Sequence, residues 1–137
     1  MRSSGAAVHD ALIAYLRAAP AVAALVGSRV YDRVPQGVTF PYVALGLSRT
    51  DRFRVQGADG CSLFCEINAW TRATSGGKHD AETLRAALED ALDDAALTVS
   101  GHKFQGCWVE GGTVDRMGDG LTVRVSINLR IDTLVPI

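Results

Sequence analysis

The amino-acid sequence predicts an α+β domain, in which a mainly antiparallel β-sheet of about four to five strands carries two main helices on one face. Two segments repeat apolar residues at helical spacing, and several others alternate apolar and polar residues as half-buried strands do. Glycine-containing connections lie where one strand pattern follows another. Such connections favour hairpins and antiparallel pairing over helical crossovers.

The chain is predicted to form a single domain over residues 1–137. A chain of this length buries roughly two thirds of its unfolded surface, which is enough for a hydrophobic core. No internal repeat, linker or shift in composition divides the sequence.

Two helices are predicted at the start of the chain. The first is amphipathic, is capped by Ser3 or Ser4 and ends near Ala19. Its apolar stripe consists of Val8, Leu12, Tyr15 and Leu16. The second is short. It begins at Pro20, which suits a first helical turn, and ends at Gly27, which can adopt the left-handed conformation that closes a helix.

Two strands are predicted next, a short one over Arg29–Tyr31 and a longer one over Tyr42–Arg49. Pro41 fits the first residue of the longer strand, where a missing N–H donor costs little. The apolar residues that alternate on one side of it are Val43, Leu45 and Leu47. The charged and glycine-rich segment Asp51–Gly60 is predicted to be a mobile hairpin connection, with the extension of strand pairing into it left open.

A further strand is predicted from Cys61 to Thr71. Its alternation assigns one set of side chains to the core, namely Leu63, Cys65, Ile67 and Ala69. The opposite face then carries Phe64 and Trp70, which need cover because they are large and aromatic. That cover comes either from the same chain or from another subunit.

The second half of the chain predicts a helix from about Asp80 to Asp94 and two strands. The strand over Phe104–Val114 is interrupted by three glycines, where we expect a bulge or bend. The last strand alternates most clearly. Its predicted buried face consists of Leu121, Val123, Val125, Ile127, Leu129 and Ile131.

Composition excludes several functional classes. The formal net charge is −1 at pH 7, so the chain lacks the basic excess of a dedicated nucleic-acid-binding protein. No apolar run approaches the roughly 20 residues that span a bilayer, and no cleavable leader is evident, so we expect neither a membrane partner nor export. Three cysteines in such a chain fit reduced, buried thiols better than disulfides.

The chain shows no pattern of reactive groups. Cys61 and Cys65 would lie roughly 13 Å apart on one strand, too far to share a zinc ion. No serine has a nucleophile-elbow sequence around it, and Lys78 lacks the flanking residues of a phosphate-binding loop. We therefore predict no catalytic residue, no cofactor and no metal site.

Charged and aromatic residues are the remaining candidates for a binding surface. An acidic cluster, Glu89, Asp90, Asp93 and Asp94, ends the second main helix. There the helix dipole disfavours negative charge. It is either a solvated surface or a pairing surface for arginines of a neighbouring subunit. The other candidate interface residues are Arg29, Arg33, Arg52, Phe53, Arg54, Phe64, Trp70 and Arg72. The triplet at Arg52–Arg54 suits nucleic-acid contact or docking on a protein.

The first third of the chain resembles the tail-completion or tail-terminator family of long-tailed phages and phage-like gene transfer agents. That family has a helix, a short apolar piece ending in glycine, an Arg-Val-Tyr-like strand and a Pro-Tyr-Val-like strand in this order. The residues that carry the resemblance are Ala11, Leu12, Tyr15, Leu16, Val22, Leu25, Gly27, Arg29, Val30, Tyr31, Pro35, Pro41, Tyr42 and Val43. The similarity continues to the last strand.

The resemblance implies a structural protein and not an enzyme. Family members form a ring, typically a hexamer, at the head-proximal end of a tail tube, where they stop tube growth and meet the head-side connector or adaptor. The implied partners are therefore further copies of the chain, the tube protein and the connector, with DNA only in passage through the lumen. The implied location is a phage-like particle assembled in the bacterial cytoplasm.

Two other functional classes stay open from the sequence. One is another virion component, such as a head-tail adaptor or a tail tube subunit. The other is a small enzyme or ligand-binding α+β domain, whose pocket would lie between sheet and helices. For a ring-forming protein, we expect acidic residues of the cluster to pair across the ring with arginines from residues 29 to 54.

Overall fold

The computed structural model describes residues 4–72 and 78–136. Within these ranges the chain forms three helices and five strands. In chain order they are α1 (Gly5–Ala18), α2 (Pro20–Val26), β1 (Val30–Tyr31), β2 (Tyr42–Val55), β3 (Ala58–Arg72), α3 (His79–Leu92), β4 (Lys103–Arg116) and β5 (Thr122–Pro136).

The five strands form one sheet in the order β1-β2-β3-β5-β4. β1 pairs with β2 in parallel, and every other neighbouring pair is antiparallel. The predicted α+β fold with a mainly antiparallel sheet is confirmed. Among the described residues, no single helix is long and apolar enough to cross a membrane. α1 and α2 pass that test only as a pair, bent by 81°.

One hydrophobic core joins the helices to the inner face of the sheet. The helices contribute apolar residues three or four positions apart, which fall on one side of a helix. These are Val8, Leu12 and Leu16 from α1 and Ala81, Leu84, Leu88 and Leu92 from α3. β5 contributes alternate residues, Val123, Val125, Ile127, Leu129 and Ile131, each at most 1% exposed. Burial of each large aliphatic side chain contributes about 1.5–3 kcal/mol.

The joint between the helices and the sheet is fastened by arginine side chains. Gly27 closes α2 with φ of +61°, and its N–H donates to the carbonyl of Ala23 at 2.8 Å. Arg17 then donates to the carbonyl of Val30 at 2.7 Å. The bond from Arg17 holds β1 beneath α1.

The start of α1 differs from the prediction. Ser4 precedes the helix, but its side chain does not cap it. The hydroxyl instead donates to the sulfur of Cys61 at 3.5 Å, and so the residue is used in the core contact to β3. Ser3 lies outside the described residues.

The prediction of a mobile connection over Asp51–Gly60 is wrong, and the strand pairing that the sequence left open for this segment is present. β2 runs to Val55, β3 starts at Ala58, and the two strands pair along this whole stretch. Gln56 and Gly57 form the turn, where Gly57 has φ of +79°. The pattern misled because every residue from 47 to 55 is exposed. A strand without a buried face shows no apolar alternation.

The prediction that Leu47 lies on the buried side is also wrong, since it is 80% exposed. A register shift between Leu45 and Ser48 inserts an extra residue and reverses the alternation. Gly46 lies within this bulge, where a larger residue would have to displace the side chains of Asn68 and Glu66. Leu121 precedes β5 and is 43% exposed, so its predicted burial is wrong too.

The bulges expected in β4 are present, between Phe104 and Gly106 and between Val109 and Gly111. The second bulge lies in the same row of the sheet as the bulge in β2. Gly111 faces Asn128, Asn128 faces Glu66, and Glu66 lies opposite the extra residue of β2. Because a bulge increases local twist, paired bulges on both sides coil the sheet along this row.

Candidate subunit interface

The cysteines are packing groups in this structure. All three are buried, and burial raises the pKa of the Cys65 and Cys107 thiols to about 12. The thiol of Cys107 donates to the carbonyl of Leu92 at 3.3 Å, at the end of α3. In the described part of the chain, no three His, Cys, Asp or Glu side chains are grouped to hold a metal ion.

The acidic cluster at the end of α3 is partly neutralised within the chain. Glu89 accepts a hydrogen bond from Arg85 at 2.7 Å, one turn earlier on the helix. Asp93 accepts one from the backbone N–H of Val109 at 3.0 Å, which fastens the helix end to β4. Asp90 and Asp94 are exposed, and their carboxylates have no hydrogen-bond or ion-pair partner among the described residues. Asp90 and Asp94 are therefore the two acids of the cluster that remain available to pair with another chain.

Several of the predicted basic interface residues also have partners in their own chain. Arg29 donates to the carbonyl of Pro41 at 2.8 Å, which helps to fasten β1 beside β2. Arg54 pairs with Asp59 at 3.0 Å. Arg33 and Arg52 are exposed without a hydrogen-bond or ion-pair partner in residues 4–72 and 78–136. These two arginines are the unpaired members of the basic set.

Arg72, the last residue of β3, bridges the turn that precedes β5 and the segment that precedes β2. Its Nε and Nη2 donate to the hydroxyl of Thr122 at 3.1 and 3.0 Å. Its Nη2 lies 3.5 Å from a carboxylate oxygen of Asp119, and its guanidinium lies 4.3 Å from the ring centre of Phe40. The structure therefore gives Arg72 an internal bridging role.

The two charged sets lie at opposite edges of the sheet. Arg33 follows β1, the first strand in the sheet order, and Arg52 lies on β2 beyond the short pairing with β1. The acidic end of α3 contacts β4, the last strand in that order, through Asp93. Within one subunit, the acidic and basic residues that the sequence suggests as partners thus lie at opposite edges of the sheet. A sequence without topology cannot show this separation.

Trp70 obtains its cover from the same chain. Its ring stacks on Tyr42 with centroids 5.1 Å apart, and Tyr42 also contacts Phe40 at 5.2 Å and Tyr31 at 6.3 Å. Trp70 is half-buried by these same-chain contacts, and its predicted place in a subunit interface stays a prediction.

Phe64 lies on the outer face of the sheet, opposite the helices, between two arginines. The guanidinium of Arg49 lies 4.5 Å from its ring centre and that of Arg130 lies 5.7 Å away. Arg130 also lies 5.7 Å from the ring centre of Trp108 and pairs with Asp132 at 3.1 Å. The outer face is therefore partly covered by its own cation–π contacts.

Four of the six large apolar side chains that are exposed in the described part of the chain lie on β2 and β4. Within the described ranges, Leu47 is 80%, Val55 42%, Trp108 40% and Phe53 37% exposed. The ring of Phe53 lies over Gly60, and the indole of Trp108 lies over Gly106. The sequence identified only Phe53. Val55 and Trp108 can be recognised as surface residues only from the strand register, which places neither of them on the buried face.

Two of the open grooves in the described part of the chain are relevant to an interface. One, of about 560 Å³, crosses the outer face along the row of bulges, between Leu47 and Glu110. The other, which we call the helical groove, has a volume of about 390 Å³ and lies between the α1–α2 corner and α3. Its lining consists of Tyr15, Ala18, Ala19, Pro20, Ala21, Ala87, Asp90 and Ala91.

Comparison with known proteins gives a family and a solved structure. Residues 10–133 match the family described as tail completion protein gp17. A solved structure of the virion of a native gene transfer agent particle contains a chain that is 29% identical and superposes with a TM-score of 0.87. The match covers 98% of this chain and 99% of that chain. No curated protein sequence matches.

Proposed function

The chain belongs to the tail completion protein gp17 family, a family of structural proteins of phage-like tails, and we propose that it forms a hexameric ring that caps the tail tube. The ring sits at the head-proximal end, ends tube growth and joins the tail to the head. The observation that supports this most strongly is the likeness to a virion chain over nearly the full length of both. A role of this kind needs no catalytic residue, and we propose that the chain is not an enzyme.

The partners follow from this position. Within the ring each subunit meets two further copies of the chain. The ring meets the tail tube protein on one side and the head-side connector or adaptor on the other, and DNA passes through its lumen without being held. Assembly takes place in the bacterial cytoplasm, and the product is part of a phage-like particle.

A closed ring requires two unlike surfaces on each subunit. The charge distribution supplies such surfaces, because unpaired arginines lie at the β1–β2 edge and unpaired carboxylates at the opposite edge. The pairs that cross the subunit boundary are Asp90 and Asp94 of one copy with Arg33 and Arg52 of the next. An exposed ion pair contributes at most about 1 kcal/mol, so these pairs set orientation more than affinity.

Charge reversal tests this pairing. The double variant Asp90→Arg and Asp94→Arg should lower the assembly mass measured by light scattering at moderate salt, because arginines then face arginines across each contact. Adding Arg33→Glu and Arg52→Glu should restore the mass. Asp10→Arg, an exposed reversal on α1, is the matched control and should leave the mass unchanged. An unchanged assembly mass for the Asp90→Arg and Asp94→Arg double variant would contradict the proposed ion pairs.

Another virion role, as a head-tail adaptor or a tube subunit, is the second candidate, because the likeness to a virion chain suits it equally well. Assembly distinguishes the roles. A terminator stops at one closed ring, whereas a tube subunit continues to stack.

A further inference from the structure

The outer stretch of β2, residues 47–55, is exposed along its whole length. We call it the hairpin arm. β1 pairs with β2 only at Val43 and Ala44, so the arm forms a free edge of the sheet. A free edge with exposed apolar side chains invites pairing with other chains, and proteins normally cover or charge such edges.

Two apolar side chains lie on the outer face of this arm. Phe53 and Val55 lie on the same side of β2, two residues apart, and are 37% and 42% exposed. The arm is also basic, since it carries three arginines against the single acid Asp51. Arg49 and Arg54 have acidic partners at 3.3 and 3.0 Å. Arg52 has none within the described ranges.

The helical groove has the complementary character. Seven of its eight lining residues are alanine, proline or tyrosine, and the remaining one is Asp90. The small side chains of Ala18, Ala87 and Ala91 leave a depression that a bulky apolar side chain can fill. The carboxylate of Asp90 at its rim is exposed and unpaired in the described part of the chain.

We propose that the hairpin arm of one copy docks in the helical groove of a second copy, with Phe53 and Val55 filling the groove. Arg52, whose long side chain can reach around the strand edge, pairs with Asp90 of that copy. The contact joins unlike surfaces, so it repeats from subunit to subunit, and in the proposed ring the rotation between neighbouring copies closes. This inference rests on the proposed ring and names the surfaces that hold it together.

A second copy is the occupant favoured by charge and shape together. The arm presents apolar bulk on its outer face and a free arginine at the neighbouring strand position, and the groove presents an apolar depression beside a free carboxylate. Contacts of this kind bury an apolar centre and leave the ion pair at the rim, as is usual at protein interfaces. A connector or tube protein in the groove would be a different outcome of the test below.

Engineered cysteines test the contact directly. The native cysteines are buried, so they give little background. Val55→Cys combined with Ala91→Cys should form disulfides between neighbouring copies on oxidation, seen as a ladder of covalent oligomers in a denaturing gel. The matched control pairs Val55→Cys with Ala24→Cys, an exposed alanine on α2 outside the groove, and should give no ladder.

A groove-filling variant gives an independent readout. Ala91→Trp should raise the concentration at which half of the ring dissociates by about tenfold or more, because the groove is then occupied. Ala24→Trp should not change it. Thermal unfolding of both variants verifies that each is folded. Equal dissociation of both variants would contradict docking in the groove.

The outcomes separate the contact from the function. A ring of normal mass in the double-cysteine variant without a ladder, or with disulfides between two Val55→Cys positions, overturns the docking and leaves the ring standing. Failure of the wild-type chain to form a ring, alone or with the tube protein, contradicts the proposed function and the docking together.

Discussion

Asp119 shows how single residues hold this fold at its turns. One carboxylate oxygen accepts hydrogen bonds from the N–H groups of Leu121 and Thr122 at 2.9 and 2.8 Å. The other accepts from the Thr122 hydroxyl at 2.6 Å. These bonds, together with Arg72, hold the pKa of Asp119 down to about 2. The charged carboxylate therefore organises the turn that leads into β5.

The lowered pKa predicts a defined pH dependence. A carboxyl group with a depressed folded-state pKa contributes stability above its unfolded pKa of 3.8 and loses that contribution as the pH falls through about 2. Asp119→Asn should therefore be less stable than the wild type at pH 5, and the difference should shrink between pH 4 and about pH 2. Urea midpoints at several pH values measure this. A difference that stays constant down to pH 2 would contradict the role of the charge.

At the scale of elements, β2 and β4 carry bulges in the same row of the sheet, and glycines permit the close approach of neighbouring strands. A Cβ atom at Gly112 of β4 would lie 2.4 Å from the backbone oxygen of Ser126 on β5. Backbone atoms cannot move aside as a flexible side chain can, so a larger residue must distort the pairing of these strands.

Gly112→Ala should therefore lower the free energy of unfolding by about 1–3 kcal/mol. Gly118→Ala is its control, because the added Cβ meets no atom within 4 Å. The control should change stability by at most about 0.5 kcal/mol. Urea unfolding of both variants gives the comparison, and equal stability of the two would refute the close approach at Gly112.

Elements with one buried face were predictable from sequence, and elements without one were not. α1, α3 and β5 each place apolar residues on a single side, and their spacing identifies them. The hairpin arm has no buried side, so beyond Asp51 its pattern favoured a loop over the strand that the sequence left open. Leu47 was misplaced because a bulge reverses the alternation. The bond from Asp93 to β4 joins residues sixteen positions apart, and no local pattern indicates it.

At the scale of the whole molecule, apolar burial is concentrated on the inner face of the sheet, and large apolar side chains remain exposed on the outer face. Leu88 is fully buried, whereas Leu47 is 80% exposed. Replacing each of these two leucines with alanine separates the contribution of the core to the free energy of unfolding from that of the surface.

Leu88→Ala should cost about 2–5 kcal/mol, because it removes apolar contact and leaves a cavity. Leu47→Ala should change the stability of the single subunit by at most about 0.5 kcal/mol. Both values follow from urea unfolding at a low protein concentration where the subunit is dissociated. A large loss for Leu47→Ala would indicate that the outer face is covered within the subunit.

The candidate interface was only partly predictable at this scale. Residue chemistry identified the acidic and basic sets, and topology then placed them at opposite edges of one sheet. Internal pairing of Arg29, Arg54 and Glu89 became apparent only from the structure, because their partners depend on the register and the turns. Which surfaces meet in an assembly depends on a second copy, and so the contact remains a prediction.

Electron microscopy of the purified chain, alone and mixed with its tail tube protein, tests the central proposal most directly. The proposal predicts closed rings of uniform diameter, one at a single end of each tube, and tubes that no longer lengthen once the ring is bound. Rings that continue to stack into filaments, or tubes that grow unchanged with no ring at their ends, would contradict it.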